Sequence, residues 1–320
     1  MIKSFFEYIY TIITSDNPNL LYFKWVLILA LILFGITLYR YTAPPMSKVE
    51  TFTQLEPFVL KQNGEVYDTF YAELYDALHD TDKRIQSELI EMIRLTNPTT
   101  KYTTFLDVGS GTGNIVHELN EAGYDAYGIE RSRKMVDYAN AKFPDVNIIH
   151  GDVMDTMNFE SGTFTHVLCT YFTIYQFENK KLFFGNCYHW LKPNSFLIVH
   201  LVDTDKFERI IPKSNSANGP RREQRGRQQV LSQIEQFDDY QYKMDCELPT
   251  GNSNIASLKE TLTDNQTSHV RQNEQTLYME SLPDILNMAA SSGFISHGYA
   301  TMKKCNGDEN QFLYIFERQG

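Results

Sequence analysis

A single acid and a run of glycines form the stretch of the chain with the clearest chemical potential. Asp107 is followed by glycine at every second position from Gly109 to Gly113, and two further acids, Glu130 and Asp152, come after later apolar runs. Glycines let the backbone turn tightly and let a ligand approach the peptide planes. A carboxylate can accept both protons of a diol. These residue types predict a binding site for a nucleotide-like ligand.

The apolar runs around these residues predict the elements that position them. Strands are predicted, with helical patterns between them, at 104–108, 125–129, 146–150, 164–169 and 195–202. Strand, glycine turn and helix form the first unit of a doubly wound α/β sheet. The spacing places Glu130 at the carboxyl end of the second strand, where such sheets bind a ribose diol.

The spacing of the glycines separates two classes of cofactor. Dinucleotide-binding enzymes carry G-x-G-x-x-G, in which the third glycine lets the helix pack closely. Asn114 stands at the position of that third glycine. The pattern Asp-x-Gly-x-Gly-x-Gly instead resembles motif I of the class I S-adenosylmethionine-dependent methyltransferases. Glu130, Asp152 and a Leu-Lys-Pro turn at Leu191 match further family features in the same order, so the resemblance covers about 102–203.

This resemblance implies a Rossmann-like sheet of seven strands and S-adenosyl-L-methionine as the cofactor. In the family, the glycine backbone cradles the methionine and ribose portion, and the motif I acid organises the loop and the amino group. The acids at the positions of Glu130 and Asp152 bind the ribose and the adenine. The implied cofactor-binding residues are Asp107, Gly109, Ser110, Gly111, Gly113, Glu130, Arg131, Asp152, Val153, Cys169 and Thr170.

Residues that contact the methyl acceptor are predicted from polar or aromatic side chains near strand ends and in flanking segments. The candidate catalytic residues are Tyr75, Tyr175, His200 and Asp203. Further candidate contacts are Tyr171, Arg271 and Glu274. His200 and Asp203, at the end of the fifth strand, are the better candidates for a base, although a structural position is the simpler interpretation of each residue taken singly.

Three functions remain open at this stage. The first is methyl transfer to a nitrogen or oxygen of a small molecule, and the second is methyl transfer to a lipid or quinone at a membrane. The third is a catalytically inactive, methyltransferase-like interaction module. Asn114 argues against a nicotinamide-dependent oxidoreductase, and a net charge of −11 argues against a broad nucleic-acid surface. The four cysteines form no CxxC pair, so we predict no metal site. Oligomeric state is not indicated.

The N-terminal region predicts a membrane anchor. Residues 20–39 are apolar apart from Lys24, and tyrosine and tryptophan lie near both ends. About 20 apolar residues span a bilayer, and interfacial aromatic residues are typical of such spans. Arg40 and Lys48 follow the span, so the positive-inside rule predicts a single-pass protein with its catalytic domain in the cytosol.

The chain is therefore predicted to divide into four regions. These are an interfacial segment at 1–19, a transmembrane helix at 20–41, a linker at 42–64 and a methyltransferase domain at 65–320. Within the domain, we predict helices at 65–100, a cofactor-binding core at 101–205, and a cap with the last strands at 206–320. The arginine-containing segment 214–229 is predicted to be a solvated loop, with a lid over the substrate or a contact with anionic lipid head groups as alternatives. Residues 240–248 and 269–279 are predicted strands that extend or cap the sheet.

Overall fold

The computed structural model describes residues 24–26, 28–30, 32–34, 56–211, 220–251 and 253–320, and the chain forms two compact units that divide between Thr51 and Phe52. The described residues of the first unit are helical. Over the described ranges, no helix has the length and apolar character needed to cross a membrane. The predicted interfacial segment 1–19 and most of the predicted span 20–41 lie outside these ranges, so the anchor stays a prediction.

The second unit contains strands and helices that we number in chain order. The strands are β1 (Phe58–Gln62), β2 (Thr104–Val108), β3 (Asp125–Glu130), β4 (Asn147–His150), β5 (Phe164–Cys169), β6 (Leu191–Val202), β7 (Arg221–Arg225), β8 (Gln228–Gln236), β9 (Tyr240–Glu247), β10 (Ile255–Asp264), β11 (Val270–Tyr278), β12 (Phe294–Thr301) and β13 (Gln311–Arg318). The helices are α1 (Thr69–Leu78), α2 (Thr81–Thr96), α3 (Asn114–Glu121), α4 (Arg133–Lys142), α5 (Lys180–Trp190) and α6 (Leu282–Ser291).

A seven-stranded sheet in the order β12-β13-β6-β5-β2-β3-β4 confirms the predicted Rossmann-like core. The five strands from β6 to β4 run parallel, and β13 lies antiparallel between β6 and β12, so that β12 again has the direction of the five. Alternate residues of β2 enter different cores: Leu106 packs with α1 and α5, and Phe105 packs with α2 and α3. Burial on both faces is what a parallel sheet with helices on each side requires.

A second, six-stranded sheet has the order β1-β11-β10-β9-β8-β7, and we call it the cap sheet. Its strands alternate between buried and exposed residues, so one face packs on the core and the other meets solvent. The predicted strands at 240–248 and 269–279 are present, but they belong to this separate sheet and do not extend the first one. The sequence predicts two of these strands but not β1, which pairs with β11 far along the chain.

Three predicted boundaries were wrong. The predicted linker 42–64 includes β1 and a short 3-10 helix at Asn63–Val66, because β1 pairs in parallel with β11. The predicted loop 214–229 includes β7 and the start of β8, and the basic cluster lies on this hairpin; residues 212–219 are outside the described ranges. The predicted turn at Leu191 is already part of β6.

Helix α1 is fastened at both ends, which fixes it between the two sheets. Asp68 caps the helix by accepting a hydrogen bond from the Tyr71 amide, and its carboxylate forms a bidentate ion pair with Arg271 of β11 at 3.0 and 3.1 Å. At the other end, Asp76 accepts from Thr112 and pairs with Lys142 at 2.7 Å. The helix therefore joins the cap sheet to the glycine turn.

Candidate functional site

A cleft of about 440 Å³ opens at the carboxyl ends of β2, β3 and β4. This edge of a parallel sheet is where doubly wound folds bind their ligands. The predicted cofactor residues that line the cleft are Gly109, Gly111, Glu130, Arg131, Asp152 and Val153. The structure thus brings together six residues that are spread over about 45 positions in the sequence.

The glycine turn can be built only from residues without a side chain. Gly109 has φ +67°, and a Cβ at this position would lie 2.7 Å from Thr173 Cγ2. Gly111 has φ +53°, and a Cβ there would meet only the Gly109 carbonyl oxygen at 3.9 Å, so ligand atoms can approach its backbone. Gly113 differs, because its Cβ would lie 2.9 Å from Ile148 Cδ1. We therefore assign Gly113 a role in packing α3 and α4 against the sheet, and not in ligand contact as predicted.

Glu130 connects the tips of two loops at the floor of the cleft. One carboxylate oxygen accepts a hydrogen bond from the Gly111 amide at 3.1 Å, and the other accepts from the Ser132 amide at 2.7 Å. Burial raises the pKa of Glu130, while these amide donors act in the opposite direction. Each carboxylate oxygen keeps lone pairs for further donors, so the side chain can still receive the two hydroxyls of a diol.

A smaller cavity of about 30 Å³ lies behind the glycine turn and shares Tyr75, Gly109, Gly111 and Thr173 with the cleft. Arg84 Nε, Asp107 Oδ1 and Ser110 Oγ are buried around this cavity and have no hydrogen-bond partner among the described residues. Burial raises the pKa of Asp107 well above its ordinary value. Buried polar groups are normally satisfied, so three orphaned atoms around one cavity indicate that a polar ligand group completes the site.

Arg84 is a site residue that the sequence analysis missed. Its guanidinium forms a buried ion pair with Glu88 at 3.0 Å and lies 4.4 Å from the centre of the Tyr171 ring. The residue belongs to α2, where it reads as an ordinary helical charge with a partner four positions on. The only signal in the sequence is an amphipathic helix whose apolar face also carries an arginine and a glutamate. This signal does not identify a ligand.

A third cavity of about 50 Å³ lies between the cleft and the cap sheet, and we call it the inner cavity. Tyr67, Tyr75, Thr173 and Gln176 line both the cleft and the inner cavity. Its far wall comes from the buried face of the cap sheet: Tyr242, Met244, Leu258, Glu260, Gln275 and Leu277. The two spaces therefore adjoin, with the larger one at the glycine turn and the smaller one under the cap sheet.

The predicted catalytic residues are not gathered at one place. Tyr75 lines all three cavities, so it lies at their junction, and its ring packs against His79 with centres 4.4 Å apart and planes tilted by 54°. Tyr175 is fully buried, and its hydroxyl accepts a hydrogen bond from the Val202 amide at 2.8 Å. Its position is that of a core residue. The catalytic role of Tyr75 stays a prediction.

His200 and Asp203 do not fit the predicted role of a base. His200 is fully buried; one ring nitrogen contacts the Tyr171 carbonyl and the other lies 3.0 Å from Gln311 Oε1. Burial lowers the pKa of His200 to about 4. Asp203 lies past β6, where it pairs with the exposed Lys206 at 3.0 Å. Neither residue lines any of the three cavities described above.

The remaining predicted residues divide between the site and the core. Thr170 lines the small cavity with Asp107, whereas Cys169 is fully buried in the core under the sheet. Tyr171 lines the inner cavity. Glu274 accepts hydrogen bonds from Gln62 and Gln272, away from the cavities.

Comparison with known proteins agrees with this geometry. Residues 106–199 match the family model described as a methyltransferase domain. The dTDP-3-amino-3,6-dideoxy-alpha-D-glucopyranose N,N-dimethyltransferase of Streptomyces fradiae is 32% identical over 113 residues, which are 34% of this chain and 42% of that protein. The chain spans less than half the length of the curated relatives it matches.

Two solved structures share the fold over most of the chain. The CcbJ methyltransferase from Streptomyces caelestis has a TM-score of 0.61 at 14% identity and covers 80% of this chain and 98% of its own. The SAM-bound CalS10, an amino pentose methyltransferase from Micromonospora echinaspora, has a TM-score of 0.54 at 16% identity and covers 77% and 97%. Residues 106–199 thus match a methyltransferase domain, the described chain has the fold of these methyltransferases, and the comparisons support S-adenosylmethionine as the cofactor.

Proposed function

We propose that this protein transfers the methyl group of S-adenosylmethionine to a small-molecule acceptor. The observation that carries the proposal is the set of orphaned buried atoms on Arg84, Asp107 and Ser110, directly behind the glycine turn. The methionine end of the cofactor carries a carboxylate and an ammonium, which are the partners that an arginine and an aspartate require. Buried polar atoms normally have partners, and three of those without one in the described residues lie around this single cavity.

The residues of the cleft suit the other parts of the same cofactor. Glu130 suits the ribose diol, and Asp152, beside the buried Val153, suits the adenine amino group and ring. The exposed Asp152 accepts from the Met154 amide at 2.9 Å, which orients its carboxylate. The cofactor supplies a methyl group already activated by a sulfonium. The protein then has to hold the acceptor in line with that group and exclude water.

The acceptor belongs to the inner cavity in this proposal. Its lining of tyrosine rings excludes water from the point where it meets the cleft, and Tyr75 lies at that point. Two curated relatives are named as N,N-dimethyltransferases of amino sugars, and these names favour nitrogen over oxygen as the methylated atom. We therefore propose N-methylation of a small molecule, with a lipid or quinone acceptor as the alternative.

The proposed location is a membrane, through the apolar residues 20–39. Extraction of membranes with alkaline carbonate tests this location on the full chain. Retention in the membrane pellet would support the anchor, and complete release into the supernatant would contradict it.

Calorimetric titration with S-adenosylmethionine tests the function directly. Wild-type protein should bind the cofactor, and Glu130→Ala should weaken binding about 100-fold, because a charge-assisted pair of hydrogen bonds is worth about 3 kcal/mol. Asp125→Ala is the matched control, since Asp125 is an exposed acid at the opposite end of the same strand. Unchanged affinity in Glu130→Ala would remove the assigned role, and a folded wild type that binds no cofactor would refute the proposed function.

A further inference from the structure

We propose that the inner cavity recognises a cationic amino group of the acceptor, which binds against Glu260 among the tyrosine rings. The proposal rests on the proposed function and names its substrate class, a small organic amine. Glu260 lies in the middle of β10, is 1% exposed and lines the cavity. It acts here as a recognition residue and not as a catalytic one.

Three tyrosine hydroxyls around Glu260 already donate their protons, so these hydroxyls offer a ligand acceptors and not donors. The hydroxyls of Tyr71 and Tyr242 both donate to Glu260 Oε1, at 2.7 and 2.6 Å. The hydroxyl of Tyr171 donates to the Ile210 carbonyl at 2.9 Å. Because each hydroxyl has a single proton and already donates it, each hydroxyl oxygen can only accept a further hydrogen bond. An ammonium is a group with donors and no acceptor, so it matches this arrangement.

The second oxygen of Glu260 is the least satisfied atom of this network. Oε2 accepts one long hydrogen bond, from Asn273 Nδ2 at 3.3 Å. A carboxylate oxygen has room for two donors. A ligand N–H can therefore bind to Oε2 without displacing a protein group.

The charge of Glu260 has no compensating cation in the cavity wall. The guanidinium of Arg271, whose charge acts to lower the pKa of Glu260, does not line the cavity and donates to the Asp68 carboxylate, the Val66 carbonyl and Asn273 Oδ1. Burial lowers the pKa of His79, on the opposite wall, to about 3, so its ring is neutral near pH 7. A buried carboxylate without a cation is costly, and a cationic ligand offsets that cost.

Aromatic rings complete a site for a cation. Tyr67, Tyr71, Tyr75, Tyr171 and Tyr242 all line the cavity. The faces of such rings attract cations, and the attraction is stronger in a desolvated site. The cavity also shares lining residues with the cofactor cleft, so an acceptor anchored at Glu260 can extend towards the bound donor.

Binding of a small probe tests this recognition without any need to know the natural acceptor. The probe is n-propylammonium, and propan-1-ol is the neutral molecule of the same size; both are titrated into the full chain and followed by ligand-observed NMR. Wild-type protein should bind propylammonium at least tenfold more tightly than propanol. Glu260→Gln should weaken propylammonium binding at least tenfold, because the amide keeps the shape and removes the charge.

Glu235→Gln is the control, since Glu235 is a buried carboxylate on the same sheet that bonds Gln233 and does not line the cavity. It should bind the probe as the wild type does. The inference is overturned if the wild type does not bind propylammonium, if propanol binds equally well, or if Glu260→Gln changes nothing. If Glu260→Gln does not fold, the wild-type preference for the cation over the alcohol decides. Cofactor titration is a separate readout, so failure of the proposed function is distinguished from failure of this inference.

Discussion

The two sheets build their halves of the site in different ways. The seven-stranded sheet offers mainly backbone: a glycine turn, strand ends and a few acids that follow the strands directly. The cap sheet offers side chains that alternate along its strands, so that Glu260 meets Tyr71 across 189 positions of sequence. A backbone site tolerates many sequences around it, whereas a side-chain site changes with each substitution. The difference explains how one donor site can serve many acceptors.

The largest expected effect concerns the buried ion pair of the donor side. Arg84→Met should lower the free energy of unfolding by about 3–5 kcal/mol, because Glu88 is left buried without a partner. The double variant Arg84→Met/Glu88→Met should recover most of that loss. Both should lose cofactor affinity, measured by calorimetry, because the orphaned Arg84 Nε faces the small cavity. Full cofactor affinity in the stable double variant would show that the pair is purely structural.

Two glycine substitutions next to the seven-stranded sheet distinguish the stability cost of disturbed packing from that of backbone strain. Gly113 and Gly162 both have positive φ, but only Gly113 has a neighbour within 3 Å of a built Cβ. Gly162→Ala should cost about 1 kcal/mol for the left-handed backbone. Gly113→Ala should cost about 1–3 kcal/mol more, because Ile148 and Ala139 must move. Equal losses in chemical denaturation would contradict the packing role of Gly113.

The ion pair between Arg271 and Asp68 attaches the cap sheet to helix α1, and its loss should leave the cofactor cleft intact. Arg271→Met removes the ion pair with Asp68 and should lower the free energy of unfolding by about 2 kcal/mol, a value reduced because Asp68 is partly exposed. Cofactor affinity should stay within about threefold of wild type, since the glycine turn keeps its contacts with Asp76. Arg225→Met, on an exposed hairpin, is the control. A tenfold loss of cofactor affinity in Arg271→Met would show that the cap sheet and the cofactor cleft are not independent.

Acid should change stability with opposite signs at one buried group of each sheet. Burial lowers the pKa of His166 on β5 from 6.5 to about 4, so between these values the unfolded chain binds more protons and the wild type loses stability as pH falls. Burial raises the pKa of Glu260 above 4.5, so the folded chain binds more protons there and the wild type gains stability as pH falls towards 4.5.

The variants His166→Phe and Glu260→Gln each remove one of these two contributions to the pH dependence of stability. As the pH falls from 6.5 to 4, His166→Phe should become more stable relative to the wild type, and Glu260→Gln should become less stable relative to the wild type. Each difference in the free energy of unfolding should change by at most about 1.4 kcal/mol per pH unit. Thermal unfolding at several pH values measures both. Slopes of the same sign would contradict the assigned causes.

The difference between the seven-stranded sheet and the cap sheet also determined what could be predicted from the sequence. The donor half follows local rules: apolar runs, a glycine pattern and acids directly after strands, all within 102–203. The order of the parallel strands followed from the same units. The cap sheet follows local rules only in part: β7 to β11 are successive antiparallel strands, two of which the sequence predicts, whereas β1 lies in the predicted linker and pairs with the distant β11.

Individual site residues failed for the same physical reason. His200 and Tyr175 have the chemistry of catalytic groups, but only three-dimensional packing shows that their polar atoms are already occupied by Gln311 and Val202. Arg84 and Glu260 look like charges of an amphipathic helix and strand. Their burial beside a cavity is a tertiary property, and no spacing in the sequence reports it.

The parallel pairing of β1 with β11 has a consequence for synthesis of the chain. Phe58 pairs with Val270, so the first strand of the cap sheet has no partner until most of the chain has left the ribosome. Folding of the core is similarly delayed, because β13 inserts between β6 and β12 and both of these strands precede it in the chain. Such long-range pairings fold slowly and leave strand edges exposed in the meantime. Refolding of this protein should therefore be slow, and nascent chains that end before β13 should be substrates for chaperones.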